Sequence, residues 1–234
     1  MASAAIFAVV YATLGLFPVS AYVGVSSFLT FREILSPLAG MLFGPLTGGF
    51  SMVIGTFVDF AFGKPVVFDF LDFIPDTASA VMAGLVFTGR RKLALALPLV
   101  LILWYSLDPL SANLVIVGGI MVPFYWLHLL SVLILGIAFI FETRGSLSRL
   151  NPFFVGATVL ASTMTGHIAG SIMFENVVVR INGLLTAGAI AGNWRFIFFV
   201  YPPERFLFTV LGTLVAVPVL RALSRRRDAS APES

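Results

Sequence analysis

Long apolar runs alternate with short breaks of glycine, proline and charged residues along the whole chain. A helix needs about 20 apolar residues to cross roughly 30 Å of hydrocarbon, and the runs approach that length repeatedly. We therefore predict about eight membrane-spanning helices. The predicted spans are residues 2–18, 29–43, 46–62, 71–87, 93–105, 115–141, 153–174 and 206–223.

Three segments can be interpreted in more than one way. The run 93–105 is short, so it could be tilted, re-entrant or merged with its neighbour. The run 181–200 is apolar but carries Gly183, Gly188, Gly192, Asn193 and Arg195, and we predict a folded loop or partial helix at the interface. Residues 1–18 have no basic region before the apolar run, so we expect a retained helix rather than a signal peptide.

Composition supports an all-α, polytopic membrane bundle. Apolar residues make up 59% of the chain, charged residues only 11%, and the mean hydropathy is +1.04. So few charges could not cover the surface of a soluble protein. We expect one transmembrane domain over residues 1–223 and a basic, disordered cytoplasmic tail over 224–234. The absence of cysteine excludes disulfides, thiol nucleophiles and cysteine metal sites.

The basic residues predict which side of the membrane each loop occupies. If both termini are cytoplasmic, three segments on that side hold nine of the fourteen Lys and Arg residues, as the positive-inside rule requires. The tail after the last span then resembles a lipid-surface anchor rather than a nucleic-acid-binding segment. The nine residues are Arg90, Arg91, Lys92, Arg144, Arg149, Arg221, Arg225, Arg226 and Arg227.

Small residues recur at four-residue spacing, which keeps them on one helix face. Ala4, Ala8 and Ala12 form such a strip in the first predicted helix. Close backbone approach through small side chains drives helix association in lipid, either within this chain or against a partner subunit. A second strip consists of Gly40, Gly44 and Gly48, and Gly44-Pro45 also predicts a tight turn between two spans.

Ionisable residues at membrane depth mark candidate sites. In the predicted topology they gather in the outer half, whereas the inner halves of the helices are nearly uncharged. This one-sided polarity favours a pocket open to the outside over a continuous ion path. The candidate ligand-binding residues are Arg32, Glu33, Asp59, Asp72, Asp76, His167, Glu175, Trp194 and Arg195.

Several candidates also have a purely structural interpretation. Arg32 could extend its charge to the interface, and Asp59 could pair with Lys64. In the segment DFLDFIPD, Asp69 and Asp72 could precede a helix and cap it rather than bind a ligand.

The later candidates leave similar alternatives. His167, within TMTGHIAG, could be a ligand contact or a hydrogen-bonded packing residue. Trp194 and Arg195 could close over an anionic ligand or belong to an aromatic belt. We also expect belt positions at Trp104, Tyr105, Tyr125 and Trp126.

Taken in order, several segments resemble the substrate-binding S-components of energy-coupling factor (ECF) transporters. At the N-terminal side these are AAIFAVVYATLG, the loop FPVSAYVG and AGMLFGPLTGGFSMVIGTFVDF. Later in the chain, STMTGHIAGSIMFE and YPPERFLFTVLGTLVAVPVLRAL are similar to the last two helices of that family. The resemblance covers roughly residues 1–87 and 151–223.

The resemblance implies a six-helix core, to which residues 93–141 would add an inserted helical hairpin. It also implies capture of a vitamin-like micronutrient outside the cell, a transmembrane coupling subunit and two cytoplasmic ATPases. Ala4, Ala8 and Ala12 would then face the coupling subunit. The chain has no Gly-x-x-x-x-Gly-Lys-Ser/Thr phosphate loop, so energy would come from those partners. We expect no cofactor and no catalytic residue in this chain.

The strongest alternative is a magnesium-dependent membrane prenyl- or phospho-transferase that uses Asp69, Asp72 and Asp76. A self-sufficient ion-driven carrier is disfavoured because no inverted repeat emerges between the two halves. A nickel or cobalt binding subunit is disfavoured because His128 and His167 supply few nitrogen ligands.

Overall fold

The computed structural model describes residues 2–15, 17–21 and 28–229. The protein is all-α, with 77% of residues helical and two small β-hairpins. A 3₁₀ turn, Phe31–Ile34, precedes α2, and a π-helical segment, Phe174–Ile181, follows α6. The helices are α1 Ala2–Leu14, α2 Leu35–Ala61, α3 Phe73–Phe87, α4 Arg91–Leu107, α5 Trp126–Thr143, α6 Pro152–Met173 and α7 Ala187–Ala229; the strands are β1 Pro18–Ala21, β2 Phe28–Thr30, β3 Leu114–Val117 and β4 Ile120–Pro123.

Helix α2 is a helical hairpin rather than one straight rod. Gly44 has φ 77° and ψ 178°, which interrupts the helix just before Pro45. A Cβ atom added to Gly48 would lie 2.9 Å from the Cα atom of Gly40, a separation that a continuous helix could not produce over eight residues. The chain therefore reverses at Gly44-Pro45, where the sequence predicts a turn.

The glycine strip lets the α2 hairpin approach α3 at backbone distance. A Cβ atom on Gly40 would lie 1.9 Å from the carbonyl oxygen of Ala80, and one on Gly84 would lie 2.4 Å from the nitrogen of Pro45. Neither position has room for a larger residue. These glycines therefore serve packing inside the chain.

The alanine strip of α1 also faces the interior, which corrects the expectation of a partner surface. Ala8 and Ala12 are fully buried and Ala4 is 9% exposed. A Cβ atom on Gly55 of α2 would lie 3.2 Å from the carbonyl oxygen of Ala8 and 2.4 Å from the ring of Tyr11. The strip lets α1 pack closely on α2, and the exposed face of α1 carries larger side chains: Ile6, Val9 and Val10.

The predicted helix 115–141 is wrong over its first part, where β3 and β4 form an antiparallel hairpin. Gly118 and Gly119 form its turn with φ 58° and 84°, values that glycine adopts without strain. Valine and isoleucine dominate both strands and favour extended backbone. Helix α5 begins only at Trp126.

The segment 181–200, predicted as a loop or partial helix, is helical from Ala187 and continuous with the last span. Pro202, Pro203 and Pro218 lie inside α7. Its 43 residues would extend about 65 Å at 1.5 Å per residue, about twice the hydrocarbon thickness. The tail predicted to be disordered from residue 224 continues as helix to Ala229, and residues 230–234 lie outside the described residues.

Four helical stretches in the described part of the chain are long and apolar enough to cross a membrane: Phe31–Ala61, Trp126–Thr143, Pro152–Ile181 and Gly188–Arg226. The first contains the α2 hairpin. Shorter apolar helices occur at Ala4–Leu14 and Phe73–Phe87. These features identify a helical membrane protein, while the eight spans and the six-helix core stay predictions.

The bundle has two chemically different ends. We call one the basic end, where Arg91 and Arg149 bind Glu142 and Arg149 also donates to the carbonyl oxygen of Phe87 at 2.9 Å. Arg221 reaches the carbonyl oxygen of Leu150 at the same end. We call the opposite end the hairpin end, because both β-hairpins lie there. The three basic segments that the charge pattern places on one side of the membrane therefore lie at one end of the bundle.

Candidate functional site

A buried network of polar side chains, the ionic cluster, lies at the hairpin end of helices α1, α2 and α3. Asp59 is fully buried, Asp76 is 3% exposed and Arg32 is 7% exposed. The 3₁₀ turn and the two halves of α2 bring Arg32 and Asp59 together, although 27 residues separate them. The cluster consists of Tyr11, Arg32, Ser36, Asp59 and Asp76.

Asp76 is the main acceptor of the ionic cluster. The hydroxyl of Tyr11 donates to its Oδ2, and the hydroxyl of Ser36 donates to its Oδ1 at 2.6 Å. Arg32 Nη2 lies 3.5 Å from the same Oδ2, while Nη1 of Arg32 donates to Asp59. The guanidinium of Arg32 also lies 5.1 Å from the centre of the Tyr11 ring. The network thus ties α1, α2 and α3 together.

Charge in the ionic cluster is matched by the chain itself. The Nζ atom of Lys64 lies 3.6 Å from Asp59 Oδ2, so the predicted pairing of these residues is present beside Arg32. Burial, and then the positive charge of Arg32, lower the pKa of the Lys64 ammonium below its usual value. Two cations and two carboxylates therefore balance. Within the described residues, Arg32 Nε and Asp59 Oδ1 have no hydrogen-bond partner.

Glu33 extends the polar region toward α7. Its Oε2 lies 3.8 Å from Nη1 of Arg205, and Arg205 is only 4% exposed. The guanidinium of Arg205 also lies 5.5 Å from the centre of the Phe208 ring. This pair connects the 3₁₀ turn before α2 with the last helix.

The three aspartates of DFLDFIPD point to different partners. Asp72 occupies the N-cap position of α3 but its side chain makes no capping hydrogen bond, so the capping alternative is wrong for this residue. Its carboxylate instead accepts hydrogen bonds from the backbone nitrogens of Val67 and Phe68 at 2.9 and 3.0 Å and stabilises the loop before the helix. Asp69 is exposed with φ 49°, and Asp76 belongs to the ionic cluster. In the described part of the chain, no three His, Cys, Asp or Glu residues are placed to hold one metal ion.

Two histidines from different helices meet in the interior. Nε2 of His128 on α5 lies 3.0 Å from Nδ1 of His167 on α6. Their rings are 5.2 Å apart, and the ring of Tyr201 lies 4.9 Å from that of His167. His167 is therefore hydrogen-bonded and packed, and its partner His128 was absent from the predicted site.

A group of aromatic rings, the aromatic cluster, fills the hairpin end between α4, β4, α6 and α7. It comprises Tyr105, Phe124, Phe174, Trp194 and Tyr201. Ring centres of Phe124 lie 5.2 Å from Trp194 and 5.5 Å from Tyr105. The hydroxyl of Tyr201 donates to the carbonyl oxygen of Phe124 at 2.8 Å. The cluster forms a rigid wall because the rings contact each other on several sides.

The positions of Trp194 and Tyr105 correct two predictions. Trp194 is 2% exposed and its Nε1 donates to the carbonyl oxygen of Leu110 at 3.2 Å, so it is a buried wall residue rather than a mobile lid or a belt residue. Tyr105 is fully buried, whereas Trp104 is 54% exposed as a belt residue would be. Arg195 is exposed.

Glu175 is the second residue of the π-helical segment and is fully buried. Both of its carboxylate oxygens lie 2.8 Å from one donor, the hydroxyl of Ser111. The nearby cation Arg180 instead donates to Asp108 at 2.9 Å. Beside Ser111 lies a cavity of about 240 Å³, lined by Pro109, Leu110, Ser111, Ala112, Ile190, Ala191 and Trp194.

The predicted site residues thus separate into groups. Arg32, Asp59 and Asp76 meet in the ionic cluster, with Glu33 beside them. Trp194 lines the cavity, and Glu175 is hydrogen-bonded to the lining residue Ser111. His167 pairs with His128 in the interior, and Asp72 and Arg195 lie elsewhere. The sequence analysis missed the partners that complete these groups: Tyr11, Ser36, Tyr105, Ser111, Phe124, His128 and Tyr201.

Comparison with known proteins gives little functional information. The chain is 29% identical over 205 residues to an uncharacterized protein of Methanocaldococcus jannaschii. The match covers 83% of this chain and 62% of the relative, so the chain spans about three fifths of the relative's length. No protein-family model matches the chain. No solved structure matches it at a significant level.

Proposed function

We propose that this chain is the substrate-binding membrane subunit of an ECF-type importer in the cell membrane, and that it captures a small nutrient at the hairpin end. The observation that carries the proposal is the asymmetry of the bundle. Buried carboxylates, cations, histidines and aromatic rings concentrate toward the hairpin end, which also contains the 240 Å³ cavity. Ionisable groups buried at this depth are costly and typically serve binding.

The chemistry of the basic end also supports binding of the nutrient from outside the cell. Its ion pairs involve partly exposed arginines, Arg91 and Arg149, whose side chains are 34% and 38% exposed. Such pairs anchor loops and contribute little else. Under the positive-inside rule the basic end lies in the cytoplasm, and the cavity then opens outside the cell.

Transport would depend on other subunits, namely a transmembrane coupling protein and two cytoplasmic ATPases. The chain has no phosphate-binding loop of its own. Because the alanine strip is buried against α2, the coupling protein would contact the larger exposed side chains of α1. These are Ile6, Val9 and Val10.

Purification from native membranes tests the proposal. We expect the tagged chain to retain a small molecule detectable by mass spectrometry, and to co-purify with a membrane protein and two ATPases. Replacing Val9 by Trp should reduce that co-purification and leave the small molecule bound, whereas Val100→Trp on α4 is the matched control on another exposed surface.

Two results would contradict the proposal. Uptake driven by an ion gradient in liposomes that contain this chain alone would make it a self-sufficient carrier. A retained prenyl diphosphate with magnesium would favour the transferase alternative, which in this structure would require Asp69, Asp72 and Asp76 to be regrouped.

A further inference from the structure

The charge of Glu175 is not balanced as the charges of the ionic cluster are. A carboxylate has about four lone-pair sites, and a serine hydroxyl supplies a single proton. Ser111 is the hydrogen-bond donor found for Glu175 among the described residues, and it serves both oxygens at 2.8 Å. No ion pair to Glu175 forms in that part of the chain, because Arg180 binds Asp108. A fully buried carboxylate with one donor therefore has capacity for a cationic ligand.

The wall beside this carboxylate has the composition that binds cations. Trp194 lines the cavity, and its ring meets those of Tyr105 and Phe174 edge to face at 5.8 and 5.5 Å. The faces of such rings carry negative electrostatic potential, with tryptophan the strongest. The hydrogen bond from Trp194 to Leu110 holds the indole in place, so no ordering cost is added when a ligand binds.

The size and position of the cavity limit the ligand. A volume of about 240 Å³ is below the roughly 300–1,000 Å³ typical of sites for drug-sized ligands. Ser111 belongs both to the cavity lining and to the hydrogen bond with Glu175. A ligand in the cavity is therefore one hydroxyl away from the carboxylate, close enough for a positive charge on the ligand to be attracted to it.

We propose that the cavity binds a small organic cation, an amine or quaternary ammonium compound, against Trp194 and within range of the charge of Glu175 behind Ser111. This inference rests on the proposed function, because it names the substrate class of the same site. An anionic ligand is disfavoured because two carboxylates adjoin lining residues of the cavity: Glu175 is bonded to Ser111, and Asp108 precedes Pro109. The nearby cation Arg180 is already paired with Asp108.

Binding of defined probes to the purified chain tests the substrate class. Choline and benzylamine at millimolar concentration should raise the thermal unfolding temperature and change the tryptophan fluorescence. The neutral isostere 3,3-dimethylbutanol, which has the shape of choline without its charge, should do neither. Glu175→Gln should weaken choline binding by roughly ten- to hundredfold, the loss expected when one opposite charge near the ligand is removed.

Matched variants separate binding from folding. Glu204→Gln removes a partly exposed carboxylate at the start of the last predicted span and should leave choline affinity unchanged. Trp194→Phe keeps an aromatic face but weakens the cation interaction, so its affinity should fall between those of the wild type and Glu175→Gln. Unfolding of each unliganded variant is measured first, and if Glu175→Gln unfolds early, the intermediate affinity expected of Trp194→Phe provides the test.

The inference is overturned if no cationic probe binds, if dimethylbutanol binds as well as choline, or if Glu175→Gln keeps full affinity. These outcomes leave the importer proposal standing, because co-purification with a coupling protein and ATPases does not depend on the charge of the ligand. Conversely, choline binding without any such partner would retain the cation site and refute the importer.

Discussion

The ionic cluster and the aromatic cluster occupy the same end of the bundle but solve the problem of buried charge differently. In the ionic cluster, Arg32 and Lys64 neutralise Asp59 and Asp76, and hydroxyls complete the shell. Near the aromatic cluster, Glu175 accepts hydrogen bonds from one serine, Ser111, and has no ion-pair partner among the described residues. The first region neutralises its carboxylates with its own cations, whereas Glu175 in the second has unused acceptor capacity near a cavity.

This difference distinguishes buried carboxylates that stabilise the fold from a buried carboxylate that is available to a ligand. A buried pair that is broken leaves an uncompensated charge and is costly, so the ionic cluster is expected to hold α1, α2 and α3 in register. Glu175 has no ion-pair partner among the described residues and therefore holds no helices together in this way. The site for a ligand is therefore expected at the region with fewer charges.

The largest effect is expected when a carboxylate of the ionic cluster is removed. Asp76→Ala leaves Arg32 less neutralised and deprives Tyr11 and Ser36 of their acceptor. The free energy of unfolding should fall by about 3–5 kcal/mol, measured by SDS titration in mixed micelles. Glu204→Ala is the control, and an equal loss there would show that any outer carboxylate matters.

A steric change between α2 and α3 should have the next largest effect. Gly40→Ala places a Cβ atom 1.9 Å from the carbonyl oxygen of Ala80, so the helices must separate and unfolding should become easier by about 1–3 kcal/mol. Gly136→Ala in α5 meets no heavy atom within 4 Å and should be neutral or stabilising. Equal destabilisation of the two variants would contradict the observed packing.

In the aromatic cluster, loss of one hydrogen bond should have a moderate effect. Tyr201→Phe keeps the ring but leaves the carbonyl oxygen of Phe124 without its 2.8 Å donor. Stability should fall by about 1 kcal/mol in the same SDS titration. A loss as large as that for Asp76→Ala would mean that the two regions are equally important for folding.

The smallest effect on stability is expected at Glu175. Whether the free energy of unfolding rises or falls there distinguishes the region around Glu175 from the ionic cluster. Glu175→Gln removes a buried charge that no cation neutralises, and the amide oxygen still accepts from Ser111. The unfolding free energy should be unchanged or higher by up to about 1 kcal/mol. A clear destabilisation would place Glu175 in the structural group with Asp76.

Local patterns predicted much of the helical fold but less of the tertiary pairing. Apolar length located most helices, and Gly44-Pro45 located the turn in α2. The strands around Gly118-Gly119 were missed because their apolar residues continue into α5 without a polar break. A turn signal inside that run was available in the two glycines.

The site was predicted by residue type and not by contact. Charges in an apolar chain identified Arg32, Asp59, Asp76 and Glu175. Their hydroxyl partners look like ordinary residues of apolar helices and loops, since pairs such as Tyr11 with Asp76 are 65 positions apart. The direction of the alanine strip also depended on packing, because four-residue spacing defines a face but not the neighbour of that face.

The central claim, capture of a ligand outside the cell at the hairpin end, is tested most directly by labelling single cysteines in intact cells. The chain has no cysteine, so Pro109→Cys at the cavity and Ser146→Cys at the basic end provide one thiol each. A membrane-impermeant maleimide should label Pro109→Cys in intact cells and Ser146→Cys only after permeabilisation. The reverse pattern would place the cavity in the cytoplasm and contradict the account.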